Sequence, residues 1–171
     1  MTVHVTAFSW GWKFAYPDLG IDASPTLYLP VDQHILLQMN SVDTDVIHDF
    51  WVPEFRVKQD LVPGKETTLR ITPTEIGDYQ LRCAEICGLN HTQMIANVRI
   101  VSNDDFLAWV AEKSAAPAFA DMTPEERGAY WFGAEGFGCV GCHSIDGNPG
   151  VGPTWQGLYE RQEQLTDGTT I

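Results

Sequence analysis

In 171 residues no apolar run approaches the roughly 18 that a membrane-crossing helix needs. Nor does the start show the basic-then-apolar order of a secretion signal, since Met1 leads directly into the strand-like Val3-His4-Val5-Thr6-Ala7-Phe8. Basic residues are scarce: 10 Lys+Arg stand against 23 Asp+Glu, a formal net charge of -13. That shortage excludes a nucleic-acid partner, because displacing counterions from a phosphate backbone takes Lys and Arg. A basic partner protein suits the charge instead. There is no internal repeat and no low-complexity tract, and no methionine follows Met122. Cysteine is limited to four residues, grouped as Cys83/Cys87 and Cys139/Cys142. Two close pairs point to metal, haem or redox chemistry rather than to a scattered disulfide framework. What the chain does have is core material, with 44% hydrophobic residues, 11% aromatics and six Trp. Disorder is excluded, and the length suits one domain or one and a half.

Residues 1–101 carry seven β-type runs, at 3–8, 26–29, 34–40, 46–52, 67–71, 78–82 and 95–101, rich in Val, Ile, Leu, Tyr and Thr. Pro17-Asp18, Pro25, Val62-Pro63-Gly64 and Ile76-Gly77-Asp78 punctuate them. With no helical pattern in between, the expectation is an antiparallel β-sandwich. The alternation of Ile35, Leu37 and Met39 with His34, Leu36 and Gln38 fits strands buried on one face. After Val101 the period changes. Asn103 is placed to cap a helix, Asp104 and Asp105 suit its positive end, and Phe106, Trp109 and Val110 share a face ending near Ser114. Residues 115–118 read as a linker, and Thr123-Pro124-Glu125-Glu126 opens a second helix with a capping box and proline at its first position. Ten of the 15 Gly lie between Gly128 and Gly168, so a second module starts near residue 120. The division is 1–103, 104–122 and 123–171. Acids outnumber bases by 14 to 7 through Val110 and by 9 to 3 beyond it.

From Cys83 to Met94 the sequence places two Cys, His91 and Met94 within twelve residues. Thiolate, imidazole and thioether form a soft to borderline donor set that selects copper over hard cations. One further imidazole would complete a mononuclear blue-copper site from Cys87, His91 and Met94, with Cys83 one thiolate too many. Two thiolates on a short loop instead suit a bridged pair of copper ions, each with one imidazole and a weak cap. His48, on an apolar run, is the best-placed second imidazole, with His4 and His34 as competitors. The plain alternatives are a Cys83–Cys87 disulfide or a zinc site that recruits the second cysteine pair.

His48, followed by Cys83, Glu85, Cys87, His91 and Met94 in the order C-x-E-x-C-x3-H-x2-M, resembles the CuA domain of cytochrome c oxidase subunit II. Trp10-Gly11-Trp12 is similar to the family's W-x-W segment, and Lys58-Gln59-Asp60 with Val62-Pro63-Gly64 to its K-x-D-x-x-P-G stretch. The resemblance covers about residues 3–101. It implies a cupredoxin-like Greek-key sandwich, bridging thiolates Cys83 and Cys87, imidazoles His48 and His91, and weak caps from Met94 and the Glu85 carbonyl. It also implies that the Glu85 side chain serves a magnesium site shared with subunit I, and that electrons arrive from cytochrome c at Trp10. On general grounds Trp10 and Trp12 read as core packing or half-buried surface on an edge strand. Ser9 stands where many relatives have Gln. Nitrous-oxide reductase has a similar loop with Trp in place of Glu85, which disfavours that reading. A single-copper carrier and a copper or zinc module are the remaining rivals.

Cys139-Val140-Gly141-Cys142-His143 is the C-x-x-C-H sequence of c-type haem attachment, with His143 as the proximal iron ligand. The aromatic helix before it and Gly150-Val151-Gly152-Pro153 after it resemble class I cytochrome c. The rival is a structural or redox Cys pair followed by an incidental His. With no methionine beyond His143 the distal ligand is missing, and after Leu165 the run to Ile171 has no hydrophobic face. The expected module is therefore an incomplete cytochrome with little low-spin haem. A CuA domain joined to a cytochrome resembles subunit II of caa-type haem–copper oxidases. That implies an electron carrier without bond chemistry of its own, within an oxidoreductase complex on the extracytoplasmic, periplasmic face of a bacterial plasma membrane. Its partners would be subunit I and cytochrome c or another small donor. Because that family has transmembrane helices before the copper domain, the sequence is expected to be a piece trimmed at both ends.

Overall fold

Alternation of apolar and polar side chains shapes most strands of the first unit. The structure, a computed structural model, describes residues 1–114, 122–133 and 139–158, with Gln162 and Thr169. The expected linker at 115–118 lies outside the described residues, as do Gly138, Leu165 and all but Thr169 of the run 166–171.

Ten strands form two five-stranded sheets. They are β1 (Thr2–Phe8), β2 (Gly11–Tyr16), β3 (Ile21–Ser24), β4 (Leu27–Pro30), β5 (Ile35–Ser41), β6 (His48–Val52), β7 (Val57–Leu61), β8 (Thr67–Ile71), β9 (Gly77–Cys83) and β10 (Ile95–Val101). The first sheet runs β3-β2-β1-β5-β8 and the second β4-β10-β9-β6-β7. Val3, Val5 and Ala7 of β1, Trp12, Phe14 and Tyr16 of β2, and Ile35, Leu37 and Met39 of β5 are buried from one side. Leu27, Leu29, Phe50, Val52, Leu81, Val98 and Ile100 are buried from the other. This period of two makes each strand half core and half surface.

The sandwich is as expected, but its pairing is not wholly antiparallel. β1 runs parallel to β5, and β4 runs parallel to β10. Three strands also exceed the seven expected. β2 alternates correctly but its Trp-Gly-Trp start reads as a motif, β3 is only four residues long, and β7 carries Lys58 and Asp60 on an edge where little is buried.

Tyr16 stitches the two sheets together. Its hydroxyl donates to the Tyr28 carbonyl (3.0 Å) and accepts from the Tyr28 N–H (2.8 Å). Burial pushes its phenol far above the ordinary range. Helix α1 (Asn103–Ser114) packs on the same place, with Trp109 stacked on Tyr28 at 4.6 Å and edge-on to Tyr16 at 5.0 Å. Its cap is Ser102, one residue before the expected Asn103. The Ser102 hydroxyl accepts from the Asp105 N–H (3.1 Å) and donates to its carboxylate (2.7 Å).

The compact units divide at Thr123 and Pro124. In the second, α2 (Pro124–Phe132) begins at its proline with Glu125 and Glu126 in the first turn, and a 3-10 turn covers Cys139–Gly141. Among the described residues no helix is long and apolar enough to cross a membrane.

Tyr16→Phe leaves the Tyr28 N–H and carbonyl without their buried partner and should lower unfolding free energy by about 1–3 kcal/mol. Tyr28→Phe, which loses only a surface bond from Arg99, should stay within about 0.5 kcal/mol of the parent. Urea unfolding of the two variants checks the contrast.

Candidate metal centre

Two strands of the second sheet deliver the site. His48 opens β6, and Cys83 closes β9. The chain then loops through Cys87 into a 3-10 turn, His91–Gln93, and re-enters β10 just after Met94. Backbone bonds hold this loop at both ends, from the Cys83 N–H to the Met94 carbonyl (3.1 Å) and from the Ala84 N–H to the Asp49 carbonyl (3.2 Å). Gly88 sits at φ +110 with the Trp10 ring against the place a side chain would take. Both facts require glycine there.

The side chains converge. The Cys83 and Cys87 sulfurs lie 3.8 Å apart. His48 Nδ1 is 3.8 Å from the Cys83 sulfur, and His91 Nδ1 is 3.5 Å from that of Cys87. Met94 Sδ is 3.7 Å from Cys87, and the Glu85 carbonyl is 3.2 Å from Cys83. His48, Cys83 and Cys87 bring one donor atom each within 4.8 Å of one another, all three buried. Every sequence-derived ligand candidate is therefore present in one cluster except the competitors: exposed His4 and His34 bond to Gln38 and Thr72 on the first sheet. Burial, then the neighbouring Cys83, pushes the Cys87 thiol up to about 12. A thiol so raised loses its proton most readily to a cation that binds it. The converging soft donors fit copper.

Around the cluster, Trp10 donates its indole N–H to the Cys87 carbonyl (2.9 Å) and Trp12 to that of Met94 (3.4 Å). The expected edge strand is corrected here, because β2 lies between β3 and β1 and Trp12 is buried, whereas Trp10 sits half-buried in the turn before β2. Sequence reading missed Asp45. Its carboxylate accepts from the Ser9 N–H and hydroxyl and from the Val46 N–H, and lies 3.5 Å from His48 Nε2. Burial opposes its charge, yet the bonds from Ser9 and Val46 hold it below the usual carboxylate range. An acid three residues before a ligand histidine was the available signal. Asp49 was missed too. Burial and then a hydrogen bond with Asp60 push its carboxyl up to about 6. The Glu85 side chain is exposed, and beside it Ile86 and Leu89 are 82% and 86% exposed. A surface cavity of about 370 Å³, lined by Trp51, Arg82, Cys83, His91 and Met94 among others, opens beside the ligands.

In the second unit, the His143 N–H bonds back to the Cys139 carbonyl (2.9 Å), so the turn sets Cys139, Cys142 and His143 together. His143 Nδ1 donates to the Pro153 carbonyl (2.7 Å), which leaves Nε2 as the free ligand atom. Trp155 lies 5.1 Å from the imidazole, and any side chain at Gly152 would overlap that ring. Val140, Ile145 and Val151 are exposed around the turn. An imidazole nitrogen, two thiols and unburied apolar side chains are residues that would fit a covalently held haem.

Comparison with known proteins agrees on the first unit. Residues 17–101 match the family model described as cytochrome C oxidase subunit II, periplasmic domain. The chain is 41% identical over 127 residues to cytochrome c oxidase subunit 2 of Thermostichus vulcanus, a match covering 74% of this chain and 37% of that protein. To the subunit 2 of Alkalihalophilus pseudofirmus it is 31% identical over 161 residues, covering 94% and 46%. The crystal structure of the periplasmic domain of subunit II of cytochrome oxidase from Bradyrhizobium japonicum is 28% identical, with a TM-score of 0.61 over 67% of this chain and 93% of that one. The chain spans less than half the length of these curated relatives.

In the metal-free protein, half-buried Cys139 and Cys142 should be alkylated by iodoacetamide before Cys83 and Cys87 at pH 7.5. Because the Cys87 thiol is pushed up, its modification should keep accelerating as pH rises above 9. Mass spectrometry of the digested chain checks the order; equal rates at all four would contradict it.

Proposed function

Residues 17–101 belong to the cytochrome c oxidase subunit II periplasmic-domain family, and on that premise we propose that the chain is a single-electron relay of a haem–copper oxidase. The observation that supports it is the pairing of two buried thiols with one imidazole each, flanked by a thioether and a carbonyl. When bound, a copper pair supplies one reversible redox equivalent. Cys83 and Cys87 would hold it as thiolates, His48 and His91 would each offer Nδ1, and Met94 and the Glu85 carbonyl would be its weaker donors. A site with one thiolate would suit a single copper, so the second cysteine is what selects the dinuclear reading. The protein's task is to hold these donors in one geometry and keep water out, so that little moves when the electron comes and goes. Strand ends and the buried Trp12, Met94 and Phe50 supply that stiffness.

In this reading electrons come from cytochrome c or another small donor near Trp10 and leave towards subunit I, where dioxygen is reduced. The acidic surface favours a basic donor. The exposed Glu85 carboxylate is an oxygen ligand for magnesium shared with subunit I. The apolar side chains of Ile86 and Leu89 suit that subunit contact. The domain works on the extracytoplasmic face of the membrane. Residues 123–171 are the N-terminal part of a class I cytochrome c module, with Cys139 and Cys142 holding haem and His143 its proximal ligand. Haem there would supply a second one-electron carrier on the same chain.

Copper-loaded protein should contain two coppers per chain and give a seven-line hyperfine pattern in electron paramagnetic resonance. A four-line pattern or stoichiometric zinc would sink the proposal. Cys87→Ser should abolish the pattern, since an alcohol is not a soft bridging ligand at neutral pH. Copper uptake near pH 7 should release protons, and less in that variant, because the raised Cys87 thiol is still protonated there. After expression with haem-attachment machinery, a reduced pyridine haemochrome spectrum should show covalent haem that Cys139→Ser with Cys142→Ser removes.

A further inference from the structure

Three side chains from one short stretch of the first sheet reach three different stretches that carry the ligands of the second. The Ser9 N–H and hydroxyl bond to Asp45, whose carboxylate faces His48 Nε2 at 3.5 Å. Trp10 bonds to the Cys87 carbonyl at 2.9 Å, and its ring lies against Gly88. Trp12 bonds to the Met94 carbonyl at 3.4 Å. None of these contacts serves the pairing of β1 with β2, whose register runs from His4 opposite Ala15 to Phe8 opposite Gly11. His48 Nε2 is buried and has no hydrogen-bond partner among the described residues, so the Asp45 carboxylate is the charged group that faces it. With Nδ1 turned to Cys83, the useful tautomer carries its proton on Nε2, and a carboxylate on that side favours it.

We propose that the segment from Ser9 to Trp12, with Asp45, is a clamp that closes the metal site across the two sheets. Ser9, Asp45, Trp10 and Trp12 are positioning residues that fix the His48 arm against the Cys83–Met94 loop, a role separate from the arrival of electrons at Trp10. The proposal rests on reading the cluster as a metal site, but the clamp itself is built from contacts of the metal-free chain. Without it, His48 and the loop are joined through backbone bonds of one sheet alone. With it, a displacement of either arm breaks a bond to the other sheet.

The test compares Ser9→Ala, Asp45→Asn and Trp10→Phe with the conservative Ser9→Thr and with Lys13→Ala, an exposed change on β2. In the metal-free full chain, amide exchange of residues 84–94 should speed up about tenfold in the first three and stay unchanged in the last two. Protection of β5 serves as the fold control, and Trp10→Phe, which keeps the ring, covers the case in which Ser9→Ala fails to fold. In copper-loaded protein the first three should lose metal to a chelator about 10–100-fold faster and shift the hyperfine splitting. Unchanged exchange at 84–94 in all three variants, with only donor oxidation slowed, would overturn the clamp. Altered exchange in a chain that loads no copper pair would keep the clamp and refute the electron-relay reading.

Discussion

Two thiols held side by side away from water set the terms for the rest of the first unit. Their sulfurs are 3.8 Å apart. Ionising Cys87 alone places a negative charge in a poorly solvated place, next to a group that resists it. Such a pair suits a cation that both sulfurs can hold. To keep such a pair from drifting into a disulfide or turning outward, both sulfurs must be fixed by covalent neighbours. Cys83 is fixed as the last residue of a central strand, while Cys87 depends on a loop whose carbonyl is tied to Trp10.

That difference explains which parts were legible in the sequence. Alternation in residues 35–41 announces a half-buried strand because the burial of Ile35, Leu37 and Met39 depends only on the local period. The donor set was legible because its spacing is chemical, and His48 could be preferred over His4 and His34 since those two sit on polar faces. Parallel pairing of β1 with β5 was not legible, as partners so far apart leave no local trace. β7 escaped because an edge strand paired only to β6 buries little. Asp45 escaped for a different reason: its spacing from His48 is local, but the Ser9 group that bonds it lies 36 residues away and reaches it only in the folded domain.

The second unit shows the reverse balance. Its C-x-x-C-H signature stands in five consecutive letters, and the structure adds the bond from His143 to Pro153 and the close fit of Gly152 to the imidazole. Around them the side chains Val140, Ile145 and Val151 remain uncovered. A turn this short buries little by itself, so a haem held there, as proposed, would form a large part of its core.

The parallel pair of β4 with β10 has a temporal meaning. Leu27 meets Val98 across a separation of about 70 residues, a loop closure that is entropically costly and slow. The second sheet cannot assemble on the ribosome until residue 101 has emerged, and the cysteine loop lies just before that point. The loop that carries Cys87, His91 and Met94 is thus tied at both ends only in a finished domain. The full donor set lies beside the cavity at Cys83 and His91 only then, so any metal it takes up meets a folded surface rather than a nascent chain.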